Sequence, residues 1–278
     1  MSPSTIELLV RGFRRSVAAA RAVRILLTAA FCVLVIWALQ LPEPQARRAL
    51  GLLVLGGLVL WAGAIIRSVR LTRELQTGNM LMAMGRLDDA EACLGRVLRR
   101  FSLSPQVKFL VFQQLAALFF QRQRHDDVVI VCHELLRQPI RRLHGVWLNT
   151  RLLLADVLLL EDRVAEAYGA MRPVYDAPLT LTDRMKLLPI QLRYELASNH
   201  AESAVGGLAE KVRIAELLES PAAGLVHALL AEACRRLSRP AQQAFLAERA
   251  RLYCDLAPIA RRYPVIAPIA AEAPADPG

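Results

Sequence analysis

The chain has 278 residues, 55% of them apolar and 22% charged, with a mean hydropathy of +0.33 and a formal net charge of +10. That composition excludes a wholly disordered, collagenous or low-complexity protein, and the length allows one large domain with an extra segment or two small domains. Only Lys108, Lys186 and Lys211 are lysines; the other 32 of the 35 basic residues are arginines.

The charge is unevenly placed. Residues 1–75 hold ten Arg against Glu7, Glu43 and Glu74, whereas the rest of the chain holds 25 basic and 22 acidic side chains. Residues 1–24 form a basic amphipathic segment. Ser4 and Glu7 have the spacing of a capping box, and Ile6, Leu9, Val10, Phe13 and Val17 recur at helical spacing. Such a helix either lies in the headgroup layer, with anionic lipid at Arg11, Arg14 and Arg15, or acts only as a topology signal.

Two apolar runs follow, 25–41 and 50–66, each 17 residues long and flanked by arginines. Each gives ~25 Å of helix, at the short end of a transmembrane span. Core helices of a soluble fold would keep a polar face; these runs do not. The PEP sequence from Pro42 to Pro44 starts an eight-residue connection, 42–49, and closes a transmembrane hairpin over 25–66. Ala49, Gly56 and Gly63 share a face, where small residues would let the two helices approach. Arg excess outside the runs puts both termini in the cytoplasm and makes the hairpin an uncleaved anchor in a bacterial-type inner membrane.

From residue 74 to 257 no strand pattern occurs, and helical hairpins recur instead. In the clearest unit Gly78, Gly85 and Ala90 stand where small residues admit close helix packing, with Leu81, Leu87, Leu94 and Val97 apolar. This segment resembles a tetratricopeptide repeat (TPR). Later units centre on Val128, Ala167, Ala204 and Ala244, so the anchors lie 38, 39, 37 and 40 residues apart, longer than a TPR period of about 34. The fold class expected is all-α: two N-terminal transmembrane helices, then an α-solenoid of about five TPR-like hairpins over 74–257. Gln138–Pro139, Arg172–Pro173 and Ser220–Pro221 mark unit breaks, and Pro189 starts the fourth unit near Leu188 or kinks it. Gly206–Gly207 marks close packing inside a helix. Residues 258–278, with five prolines, form a Pro/Ala-rich flexible tail.

Few residues point to chemistry. The five Cys are scattered, and His125 and His133 lie too far apart along a helix for joint metal ligation without a partner. No phosphate-binding, dinucleotide, zinc-protease or nucleophile-elbow motif is present. Asp88–Asp89, Asp126–Asp127 and Glu161–Asp162 sit where they would cap the second helix of a unit. The arginine pairs 141–142, 235–236 and 261–262 lack an interleaved aromatic platform, so no nucleic acid is expected. Neither catalytic residues, a cofactor nor a metal are expected.

The TPR resemblance implies a concave groove lined by first helices, and places Gln113, Phe120, Asp156 and Arg193 towards it. Leu75, Gln113 and Leu152 occupy the lysine positions of the carboxylate-clamp subtype, which speaks against capture of a C-terminal carboxylate. The resulting expectation is a non-enzymatic, membrane-anchored adaptor or scaffold that binds a protein or peptide at the cytoplasmic face. The alternative is a structural subunit of a larger membrane complex, its solenoid permanently covered.

Overall fold

Pro3 suits the first turn of a helix, and no proline follows until Pro42, so nothing in the sequence stops the helix between them. The computed structural model describes residues 3–40, 42–100 and 105–272, and all regular structure among them is helical. Helix α1 (Pro3–Leu39) already includes Ser4, so Ser4 is not the residue at its cap as expected; the Ser4 side chain lies outside the described residues. Helix α2 (Glu43–Ala83) follows at once, with Pro42 as its N-cap. The link between the helices is therefore shorter than the eight residues expected, because PEP initiates α2 instead of filling a loop. At 37 and 41 residues these helices are ~55 and ~60 Å long, far longer than their apolar runs.

The remaining order is α3 (Leu87–Arg99), α4 (Pro105–Gln121), α5 (His125–Leu136), a 3-10 turn (Ile140–Arg142), α6 (His144–Leu160), α7 (Val164–Tyr175) and α8 (Leu181–Ala197). Then come α9 (Ala201–Val205), α10 (Leu208–Glu216), α11 (Ser220–Arg236), α12 (Pro240–Tyr253), α13 (Leu256–Arg262), a 3-10 turn (Pro264–Ile266) and α14 (Ala267–Ala271). The chain divides into two compact units, Met1–Trp147 and Leu148–Gly278.

One turn recurs five times. Gly85, Gln123, Asp162, Asn199 and Ser238 all have φ between 55° and 73°, at separations of 38, 39, 37 and 39 residues. After each, a backbone N–H reaches back to the helix just ended: Arg86 to Leu81, Arg124 to Phe119, Arg163 to Leu158, His200 to Glu195 and Arg239 to Cys234, at 2.7–3.0 Å. This is the Schellman closure, which satisfies carbonyls left open at a helix end. Arg86, Arg124 and Arg163 each pair with an acid three residues on (Asp89, Asp127 and Glu166), bracing the first turn of the next helix. Five residues past the left-handed position stand Ala90, Val128, Ala167 and Ala204, all fully buried. In the fifth turn that place falls on Gln243. Ala244 is exposed and does not take the packing role expected of it; the buried α12 face is set instead by Leu246, Ala247 and Ala250.

In the first unit, Leu71, Leu75, Gly78 and Met82 form the buried stripe of α2 that packs on α3. A Cβ on Gly78 would stand 2.9 Å from a Leu94 methyl, which accounts for the glycine. The N-terminal half of α1 also belongs to this core. Ile6, Val10, Phe13, Val17 and Ala20 are buried, and α1 packs on α3, α4 and α5. The apolar face expected to enter the headgroup layer is thus already covered by the protein's own helices.

Beyond residue 24 the same helix is largely exposed, with Ala38 the buried exception among the described residues. Only 6% of the most apolar window of α1 and none of that of α2 is buried, with Ile25, Leu26, Leu52 and Trp61 each about two-thirds exposed. A Cβ on Gly56 or Gly63 would meet nothing within 4 Å, so these glycines do not seat a neighbouring helix; the Ala49 side chain lies outside the described residues.

In the second unit α11 is the central helix, buried on every side from Ala223 to Cys234. Its small residues let neighbours approach: a Cβ on Gly224 would fall 2.2 Å from the Cys254 sulfur on the segment leaving α12. Helix α8 begins at Leu181 behind a Thr180–Asp183 capping box, well before Leu188, and carries Pro189 internally. Pro173 likewise lies within α7, in its last turn, and not at a break. Gly206–Gly207 ends α9 and starts α10; Gly207 has φ +65°, which breaks the helix expected there. Residues 258–272 are not a loose tail. Ile266 and Ile269 are fully buried against the α11 core, and residues 273–278 lie outside the described residues.

Candidate functional site

The four residues expected to line a groove fall in two places. Gln113 and Phe120 lie on α4 in the first unit, both half-buried, with the Phe120 ring 6.3 Å from the His125 ring. Asp156 and Arg193 lie in the second unit on α6 and α8, ion-paired to each other. The Arg193 guanidinium sits 4.3 Å above the Tyr263 ring and is 6% exposed. Burial lowers its pKa to about 10, against the pull of Tyr263. This pair therefore ties α6, α8 and the chain after α13 together, with little surface left to present.

Each unit carries a surface cleft. The first, of about 290 Å³, is lined by Leu9, Ala92, Gly95 and Leu115, with Asp88, Glu91 and Arg99 at its polar side. Arg122 ion-pairs with both acids at 2.5 and 2.7 Å, fixing α4 against the start of α3. The second, of about 280 Å³, lies between α8 and α10, where Tyr175, Leu188 and Ile214 meet Gln191, Glu210 and Lys211. Lys211 donates to the carbonyls of Ser203 and Ala204 at 2.7 and 2.9 Å, satisfying the end of α9.

Buried charges elsewhere serve helix ends and helix pairs. Lys108 is 2% exposed and its ammonium donates to the carbonyls of Val97, Leu98 and Arg100, capping α3 from the neighbouring helix. Burial, with the Arg67 charge behind it, pulls this lysine down to about 8. Glu134 is buried and accepts from Arg14 at 2.8 Å, which fastens α1 to α5. Burial pushes the Glu232 carboxyl upward, but hydrogen bonds and charge from Arg235 and Arg236 outweigh it and hold it below its usual value.

All five cysteines are unpaired, and burial pushes the Cys132 thiol up to about 12, far from a reactive thiolate. Among the described residues no three His, Cys, Asp or Glu side chains converge as metal ligands would. Asp88–Asp89 and Asp126–Asp127 occupy the first turns of α3 and α5, where they complement the helix dipoles.

Sequence reasoning gives no role to Lys108, Glu134 or Tyr263 and does not find Glu134 as the partner of Arg14, because nothing local marks a side chain whose partner lies on another helix. No protein-family model matches the chain, and no curated protein or solved structure matches it.

Proposed function

We propose that this protein is a membrane-anchored helical-repeat adaptor, held in a bacterial-type cytoplasmic membrane by α1 and α2. Its hairpins then form a TPR-like solenoid that binds a protein partner or peptide at the cytoplasmic face, without catalysis. One observation carries the reading: α2 is a single helix whose apolar run from Leu50 to Ile66 is mostly exposed among the described side chains and whose second half is the first helix of the hairpin series. A soluble protein would cover such a surface, since burial stabilises by about 25 cal/mol per Å².

Two further features support it. Arginines flank the apolar runs mainly on the side of the helical domain, as the positive-inside rule requires. The five recurrent turns produce hairpins of near-constant length, the kind of unit from which partner-binding solenoids are built. Recruitment then works by raising local concentration at the membrane, which needs no reacting group.

The test is topology together with partner capture. A reporter inserted at Pro44 should be active outside the cytoplasm, and one fused after Arg73 inside it. Crosslinked membranes should then yield the same partner with the full chain repeatedly, and the crosslinks should map to the hairpins. Carbonate extraction of the chain from membranes, or the opposite reporter pattern, would overturn the reading.

A further inference from the structure

The arginines that flank the spans have company at the same level of the molecule. Arg14 on α1 bonds Glu134 on α5, and seven residues further along α1 Arg21 bonds Gln138 at the end of α5. Helix α5 therefore runs in the same sense as α1, and its end points towards the apolar run. Arg21 is only four residues, ~6 Å, before Ile25, where the bare apolar surface starts. The 3-10 turn after α5 carries Arg141 and Arg142, exposed, with exposed Arg137 just before it.

The other helix ends agree. Arg100, ending α3, is ion-paired to Glu74, eight residues past Ile66 on α2. Lys108 near the start of α4 lies within electrostatic reach of Arg67. Arg67 and Arg70, where α2 leaves the apolar run, are exposed. Acids facing this end include Glu74, engaged by Arg100, and Glu134, engaged by Arg14 and, at 3.7 Å, by the largely exposed Arg137. By contrast Arg11 and Arg15 lie ~21 and ~15 Å along α1 from Ile25, beyond a Debye length at physiological salt.

We propose that this end of the first unit, with Arg137, Arg141 and Arg142 of the α5–α6 connection added to the flanking arginines, is a surface that rests on anionic phospholipid headgroups. The inference rests on α1 and α2 being the membrane anchor, and moves the lipid contact away from Arg11, Arg14 and Arg15. The occupant follows from charge and position: the α5 end that carries these guanidinium groups is bonded to Arg21, ~6 Å of helix from the expected hydrocarbon boundary, and lipid phosphates are the anions met there. Held on two continuous helices, the domain meets the headgroups with this one face.

The experiment is backbone hydrogen exchange on the full chain in vesicles of phosphatidylcholine, with or without about 30% phosphatidylglycerol. Exchange at 140–143 should slow about threefold or more when phosphatidylglycerol is present, and high salt should restore it. The triple variant R137Q/R141Q/R142Q should lose this response, the corresponding triple Arg→Lys variant should keep it, and R11Q/R15Q should behave as the parent chain. Unchanged exchange at 128–135 confirms that each variant is folded. Equal exchange in both vesicle types, or a response that survives the triple Gln change, overturns the proposal. Protection of 26–39 in both vesicle types keeps the anchor reading intact in that event; free exchange there brings down the anchor as well.

Discussion

Phe13 stacks on Phe112 with ring centroids 4.2 Å apart and planes 2° from parallel, and Phe109 meets the same ring edge-on at 6.0 Å. Through this stack the helix that carries the first apolar run becomes part of the core of the first unit. The exposed apolar stretches and the packed helices of this unit thus share α1 and α2 and are not joined by a linker.

Phe13→Ala should therefore destabilise the first unit by about 3–5 kcal/mol, as expected for an aromatic ring deleted from a packed core. Thermal melts of the detergent-solubilised full chain would measure it. Phe31→Ala, on the bare stretch of the same helix, should change stability by less than about 0.5 kcal/mol. Equal effects at both positions would mean that α1 does not pack on α4.

The five left-handed turn residues give a prediction with opposite signs. Gly85 alone among them bears no steric penalty for φ above +50°, whereas Gln123 at φ 58° does. Gly85→Ala should cost about 1 kcal/mol, and Gln123→Gly should stabilise by a similar amount. Denaturant midpoints of the two variants, with unchanged slopes, would establish the pair of effects.

How far the sequence reveals this fold depends on the range of the interactions involved. The two apolar runs and the helical hairpins are legible because their signals lie within one or two turns of chain. Ala90 and Ala167, which the repeat resemblance singles out, are fully buried. Spacing misplaces Ala244 because five residues past the left-handed Ser238 stands Gln243, and the buried face of α12 falls on Leu246, Ala247 and Ala250. The packing of Phe13 is invisible for a different reason. Its face looks the same whether lipid or protein covers it, and only the fold shows that α4 and α5 do. Arg14 and Arg193 reverse their apparent roles likewise, since their partners Glu134 and Asp156 lie 120 and 37 residues away.

His227 supplies a pH dependence. It is fully buried, its Nδ1–H donates to the Ala223 carbonyl at 2.9 Å, and its Nε2 has no hydrogen-bond partner. Burial lowers its pKa below the ordinary 6.5, with the Arg249 charge adding to the effect and the Ala223 carbonyl and Glu216 opposing it. The neutral ring is thus the folded form. Below pH 6.5 the unfolded chain binds a proton that the folded chain refuses, so stability falls as pH drops through that value and is fully present above it. Melts between about pH 5.5 and 7.5 should show this slope for the parent chain, and His227→Gln should flatten it. An identical slope in the variant would assign the effect to another group.

The end of the chain makes the last prediction. Ile266 and Ile269 are fully buried against a core that includes Leu229, Leu230 and Leu246, and Tyr263 covers Arg193. A chain ending at Asp255 would lose both isoleucines and Leu256, each worth about 1.5–3 kcal/mol of burial. It would also expose a face of α11, the most buried helix in the unit. Such a truncation should lower the melting temperature of the second unit and open it to limited proteolysis. Ile266→Ala with Ile269→Ala should reproduce most of the loss at about 2–5 kcal/mol each. Full protease resistance of the chain ending at Asp255 would mean that residues 256–272 do not close the α11 core.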